Sequence, residues 1–207
     1  MHRGRLTGVI WFALLGLPAL GGTFNPDCTI SDIVPAWQDL PGVDGKRHGW
    51  DAVADREFVV VVFTCNSCPY AVDYEERVEA LARQAAAADS RFAVVAINSN
   101  RIPEDSLPAM RERAHKKKFS FPYLFDESQS VARSFGAVRT PEFFILDRDR
   151  RIVYMGAMDD NADPGRVTKT YLADALAALQ EGRPAPVTET APVGCMIRFV
   201  RNTTRNR

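Results

Sequence analysis

The sequence predicts an α/β domain built on a mixed β-sheet with helices packed against it. Three observations carry this. Phe58–Phe63 is an unbroken β-branched and aromatic run, the composition of a central strand buried on both faces. A helical pattern follows from Pro69 to Ala88, with Val72, Val78, Leu81, Ala82 and Ala85 on one side, and then a second buried strand, Phe92–Ile97. A strand–helix–strand unit of this size implies a right-handed crossover and two parallel strands. Farther on, Phe143–Leu146 and Ile152–Met155 flank the charged turn Asp147–Arg150 and read as an antiparallel hairpin.

The 207 residues suit one domain with appendages. Lys and Arg number 26 and Asp and Glu 26, so no global field favours nucleic acid or an anionic membrane. Residues 1–22 read as a signal peptide or an N-terminal anchor: Arg3 and Arg5 precede an apolar stretch from Leu6 to Leu20, and small residues follow. This places the chain outside the cytoplasm, where disulfides persist, with no stable membrane insertion unless that segment is retained. Residues 23–55, rich in Pro, Gly and Asp, form an extension packed on the core, with turns over Leu40–Lys46. Residues 56–182 are the domain proper, and 183–207 a polar tail.

Within the domain, Glu79 and Arg83 form an i,i+4 pair on an exposed side of the first helix. A second helix runs from about Glu104 to Lys118 with Leu107, Met110 and Ala114 inward. Phe121–Phe125 is extended. Asp126 and Gln129 resemble a capping box for a short helix through Val131, Ala132 and Phe135, which Gly136 closes. The last helix carries Val167, Tyr171, Leu172, Ala175, Leu176 and Leu179 and ends at Gly182.

Cys65-Asn66-Ser67-Cys68-Pro69 lies where the first strand turns into the first helix. That turn brings two sulfurs together, and the positive end of the helix favours a thiolate, the nucleophile of disulfide exchange. Cys65, nearer the solvent end, is read as the attacking thiol and the more buried Cys68 as the resolving one. Asn66 and Ser67 are N-capping residue types, and Pro69 gives up only an amide without a helical partner. A ring this small would constrain little chain entropy, so a purely structural disulfide is disfavoured.

The chain resembles the thioredoxin-like superfamily, in its redoxin branch of alkyl hydroperoxide reductase and thiol-specific antioxidant relatives. The resemblance rests on Phe63-Thr64-Cys65-Asn66-Ser67-Cys68-Pro69-Tyr70, Phe135-Gly136-Ala137-Val138-Arg139-Thr140-Pro141 and Phe144-Ile145-Leu146-Asp147, and it spans roughly Gly45 to Gly182. It implies a thioredoxin-like fold with a cis Thr140–Pro141 bond facing the cysteine pair. It also implies a Thr140 backbone free to pair with an extended substrate. Residues 102–125 resemble the central insertion of exported thioredoxin-like reductases.

Minimal thioredoxin has an aromatic residue before its first cysteine and a buried acid on the preceding strand. Here Thr64 stands in the first place and Phe58–Phe63 contains no acid. Glu57 and Glu142 are read as surface acids, and the proton acceptor has no assigned residue.

The function implied is thiol–disulfide exchange with protein thiols and disulfides, with the cysteine pair as its own redox centre and no bound cofactor. Two alternatives stand: a peroxiredoxin-like thiol peroxidase, and a copper-binding accessory module on the same fold. A typical peroxiredoxin has Thr where this chain has Cys65 and Arg where it has Pro141, and both changes remove peroxide-binding groups. No metal-ligand pattern is evident around His48 or His115. Cys28 and Cys195 have two readings. They form a structural disulfide closing about 170 residues, worth roughly 4–5 kcal/mol in the chain-entropy model, or Cys195 is a resolving or relay thiol near Cys65.

Overall fold

The structure is a computed structural model and describes residues 21–200. All but the last two residues of the expected signal segment lie outside them. Among the described residues no helix is long and apolar enough to cross a membrane.

β1 (Leu40–Pro41) and β2 (Arg47–His48) form a short antiparallel hairpin that turns at Gly45, whose φ of 81° suits a residue without a Cβ. β3 (Phe58–Phe63) is buried along its whole length. Side chains alternate across a strand, so Val59, Val61 and Phe63 enter one core while Phe58, Val60 and Val62 enter the other. α1 (Pro69–Ala85) then crosses back to β4 (Phe92–Asn98), which pairs parallel to β3. The expected i,i+4 pair is made, with Arg83 Nε 3.0 Å from Glu79 Oε1. Glu79 is nonetheless buried, because it also accepts the Ser120 amide at 2.8 Å.

The single helix expected from Glu104 is a 3-10 turn, Pro103–Asp105, followed by α2 (Leu107–Lys117). Pro108 and an extended Ser106 start the helix afresh. β5 (Tyr123–Phe125) pairs parallel to β4 and forms one sheet edge. α3 (Ser130–Ser134) ends at Gly136, φ 61°. Its start is not a reciprocal capping box. Asp126 accepts the Ala132 amide, but the Gln129 side chain reaches the carbonyls of Ser99 and Arg198 instead.

β6 (Arg139–Thr140) leads into β7 (Glu142–Asp147), antiparallel to β3, and β7 turns into β8 (Ile152–Gly156). α4 (Tyr171–Gln180) closes the domain, and β9 (Cys195–Met196) lies in the tail. The main sheet is mixed, in the order β5-β4-β3-β7-β8.

Two cores result. α1, α2 and α4 cover one sheet face through Tyr74, Val78, Met110, Leu172 and Leu176. α3 and the N-terminal extension cover the other, with Trp37 and Trp50 packed edge to face at 5.1 Å. Phe63, Phe135 and Phe144 form an aromatic cluster under the end of β3. This clamps the point from which the Cys65 turn departs.

Candidate redox site

β3 and β4 run parallel and end on the same side of the sheet, where open α/β sheets collect functional groups. The Thr64 amide donates to Ile97 C=O at 2.9 Å, and the chain then turns through Cys65 to Cys68. Cys68 is the N-cap of α1, with extended φ and ψ of −87° and 117°, and Pro69 occupies the first helical position. Asn66 and Ser67 do not cap that helix. Their side chains face the 3-10 turn: Asn66 Nδ2 donates to Glu104 C=O at 3.0 Å and Ser67 Oγ donates to Asp105 at 2.7 Å.

Asp105 is the residue that sequence reasoning missed. It is fully buried, and its carboxylate accepts the amides of Asn66 (2.8 Å) and Ser67 (2.9 Å), the Ser67 hydroxyl and Asn100 Nδ2 (2.9 Å). One carboxylate thereby fixes both residues between the cysteines. The available signal was its position just beyond the strand parallel to β3, on the side where the motif emerges.

From the opposite side comes the Thr140–Pro141 bond, which is cis. Thr140 Oγ1 lies 3.4 Å from Cys65 Sγ, and Cys68 in its thiol form donates from Sγ to Thr140 C=O at 3.0 Å. Pro141 and Cys65 line one narrow cavity of about 10 Å³ with Thr64, Phe121 and Tyr123. That is about the room one water needs. Glu142 is buried, not at the surface, because its carboxylate accepts the amides of Val138 (2.8 Å) and Arg139 (2.9 Å) and holds this loop in shape. Burial pushes its carboxyl up to about 7. Glu57 sits at the start of β3, away from the site, and pairs with Arg91.

Cys65 is 3 % exposed and Cys68 1 %, so neither opens to solvent as expected of Cys65. Nor is the Thr140 backbone free. β9 pairs antiparallel with β6, setting Cys195 opposite Thr140 and Met196 opposite Arg139. Cys195 packs on the cluster of Cys65, Cys68 and Ala71. Cys28 lies elsewhere, on the N-terminal extension where it packs into the core, with its sulfur donating to Ser134 C=O at 3.5 Å. The structure therefore sets Cys195 beside Cys68, and all four cysteines are free. The Cys28–Cys195 bridge is not formed.

The two sulfurs bias each other's charge in opposite directions. Cys68 is drawn down, first by the hydrogen bond from Cys65, with help from Cys195 and from the Ala71 amide in the first turn of α1. Cys65 is driven up by the same bond, then by burial, with Asp105 adding repulsion. When the pair ionises, these influences favour the charge on Cys68 and leave the proton on Cys65. Cys195 is pushed up to about 11 by burial and by the charge on Cys68. Cys28 is also raised to about 11, by burial and then by Asp32 and Asp27, which makes it unreactive. Among the described residues no three His, Cys, Asp or Glu are arranged to hold a metal ion, so the three sulfurs make neighbouring pairs and not a ligand cage.

Comparison with known proteins bears on the fold and the family. The hypothetical protein SMc02350 from Sinorhizobium meliloti 1021 is 34% identical, with a TM-score of 0.76 over 83% of this chain and 95% of that one. An uncharacterized conserved protein from Geobacillus kaustophilus is also 34% identical, with a TM-score of 0.76 over 90% and 98%. Peroxidoxin BcpB from Mycobacterium tuberculosis shares the fold at 22% identity and a TM-score of 0.57, over 74% and 97%. No curated protein matches the chain. The Redoxin family profile matches residues 20–175, a span that runs from the N-terminal extension through the cysteine turn and the cis-proline loop into α4. The chain belongs to the Redoxin family.

Proposed function

We propose that the chain is a thiol–disulfide oxidoreductase acting on protein disulfides through Cys65 and Cys68. Its family and fold support a thiol redox function. The observation that carries the finer reading is two cysteines at the N-terminus of α1 with Thr140 of the cis-proline loop against both sulfurs. Access and charge are divided between them. Cys65 lines the cavity and meets the substrate, while Cys68 carries the charge and serves as the proton acceptor.

In the cycle, Cys68 thiolate takes the Cys65 proton as Cys65 attacks one sulfur of the substrate disulfide. The other substrate sulfur leaves as thiolate and takes that proton from Cys68. Cys68 thiolate then attacks Cys65, forming the Cys65–Cys68 bond and releasing the second substrate thiolate, which is protonated by water. The substrate gains two electrons and the pair loses two. The chain needs no bound cofactor, and an external thiol reductant returns it to the start. The N-terminal apolar segment supports a place outside the cytoplasm.

Cys68→Ser is expected to accumulate mixed disulfides through Cys65, and Cys65→Ser to accumulate none. Equal trapping by both variants would remove the assignment. A second reading, a thiol peroxidase, draws on the charge resting on Cys68. That thiolate would attack a peroxide, become a sulfenic acid with release of an alcohol or water, and condense with a neighbouring thiol to a disulfide and water. Pro141 stands against it, since the cation that polarises a peroxide in typical peroxiredoxins is missing at that position. Peroxide consumption measured beside insulin-disulfide reduction decides between the two. Fast peroxide turnover without insulin reduction establishes the second.

A further inference from the structure

The geometry points to Cys195 as a third redox thiol, held against Cys68 by a tail strand that occupies the place of a substrate strand. This rests on the exchange reading above and extends it.

The tail is built for close approach. Cys195 stands opposite Thr140 in an antiparallel pair, the mode in which an extended peptide adds to a free strand edge. Arg139 Nη1 donates to Gly194 C=O at 2.9 Å, and the Ile197 amide donates to Val138 C=O at 2.9 Å. A Cβ on Gly194 would collide with the Thr140 carbonyl and the Pro141 nitrogen, so only glycine lets the strand sit this near. The segment is tied on both sides. Before it, Met155 exchanges backbone bonds with Thr188 and Thr190. After it, Ile197 is buried, and the amides of Arg198 and Val200 donate to Asn100 Oδ1 and Gln129 Oε1 at 2.8 Å. Cys195 is therefore a positioned thiol and not the end of a loose arm.

The step follows from the neighbours. Once Cys65 and Cys68 are bonded, Cys68 no longer carries the charge that holds the proton on Cys195. The Cys195 thiolate attacks Cys68 Sγ. The Cys68–Cys195 bond forms, the Cys65–Cys68 bond breaks, and its electron pair goes to Cys65, which takes up the proton that Cys195 gave up. No electrons enter or leave. Cys65 is restored for another exchange, and the oxidised bond now includes the half-buried Cys195, next in sequence to the 68 % exposed Met196, where a thiol reductant reaches it. Attack by that reductant on Cys195 then releases Cys68.

Peptide mapping by mass spectrometry tests this on the full chain. Cys65→Ser, equilibrated in graded glutathione buffers and alkylated in acid, is expected to yield the Cys68–Cys195 linked peptide as its main disulfide. Adding Gly194→Val to it is expected to lower that species about tenfold or more, because the positioning of the two thiols is lost. Wild type quenched after one turnover is expected to hold both Cys65–Cys68 and Cys68–Cys195. Cys195 fully alkylated throughout, with Cys68 carrying glutathione in Cys65→Ser, overturns the relay. Wild-type insulin reduction is scored separately. Activity without the Cys68–Cys195 bond overturns the relay alone, and the bond without activity overturns the exchange reading alone.

Discussion

Removing Asp105 is expected to weaken the fold and to make the redox centre more oxidising, and the two effects have separate origins. Its carboxylate accepts four hydrogen bonds, two of them from the amides of Asn66 and Ser67. In Asp105→Ala those amides lose their acceptor, at about 1–3 kcal/mol for each group left unpaired. Asn66 and Ser67 are half-buried, so water recovers part of the loss, and about 2–4 kcal/mol remains. Asp105→Asn keeps an acceptor for the two amides and is expected to cost about half as much.

Both variants delete the negative charge that opposes a thiolate at Cys65. Asp105 sits against the loop between both sulfurs, so its charge opposes the one negative charge the reduced pair carries. Deleting it is worth about 1–2 kcal/mol after screening, stabilises the reduced, ionised form and raises the midpoint potential by about 20–40 mV. Urea unfolding reads the first effect. Equilibration with glutathione and the pH dependence of thiolate absorbance read the second. An unchanged potential and thiolate titration in Asp105→Asn, or an Asp105→Ala variant within about 0.5 kcal/mol of wild type, would refute the assigned role.

Other perturbations have equally definite outcomes. Glu142 has a value of about 7 in the folded chain against an ordinary 4.5, so between them the folded chain holds a proton the unfolded chain has released. Its contribution is full below about 4.5 and is lost as pH rises through about 7, a fall of about 3 kcal/mol at most. Glu142→Gln is expected to flatten urea-midpoint stability across that window, and an unchanged slope counts against the buried carboxyl. Phe63→Ala, which empties the centre of the aromatic cluster, is expected to cost about 3–5 kcal/mol by thermal or urea unfolding. Tyr123→Phe loses a single 3.2 Å bond from the Tyr123 hydroxyl to Asn66 Oδ1 and is expected to cost about 0.5–1.5 kcal/mol.

The elements with strong apolar periodicity were legible from the chain. The parallel pairing of Phe58–Phe63 with Phe92–Ile97 and the hairpin around Asp147–Arg150 follow from periodicity and turn residues, whereas the antiparallel pairing of β7 with β3 does not. Pro69 and Gly136 marked one helix start and one helix end for steric reasons that a single residue contains. What was not legible depends on contacts distant in sequence. Asp105 falls in the first turn of the helix expected from Glu104, and nothing marks it out until β4 carries it to the cysteine loop. Glu142 lies next to a proline, and only the fold shows that two loop amides draw it inward. Cys195 sits in a polar tail, and its strand of two residues has no periodicity to read. Asn66 and Ser67 were misassigned as helix caps because capping propensity is local, while the carboxylate that competes for them is 38 or 39 residues away.

Three segments with no common sequence signature thus act on one pair of sulfurs, and their effects are not parallel. Asp105 opposes charge on Cys65, whereas the Cys195 thiol and the Ala71 amide favour it on Cys68. Both biases push the same way, and they separate the sulfur that meets substrate from the sulfur that holds the charge. Such a centre pays a proton transfer before each attack, but its Cys65 thiolate, once formed, belongs to the more basic sulfur and is the stronger nucleophile. The same bias makes Cys68 the better leaving group when an outside thiol attacks the oxidised pair at Cys65, and makes Cys65 the poorer one when Cys195 attacks Cys68. Transfer to Cys195 therefore depends on the proton reaching Cys65 as the bond breaks. It is expected to slow as pH falls and the Cys195 thiolate is depleted, and a transfer rate independent of pH from 6 to 9 would show that the proton moves by another route.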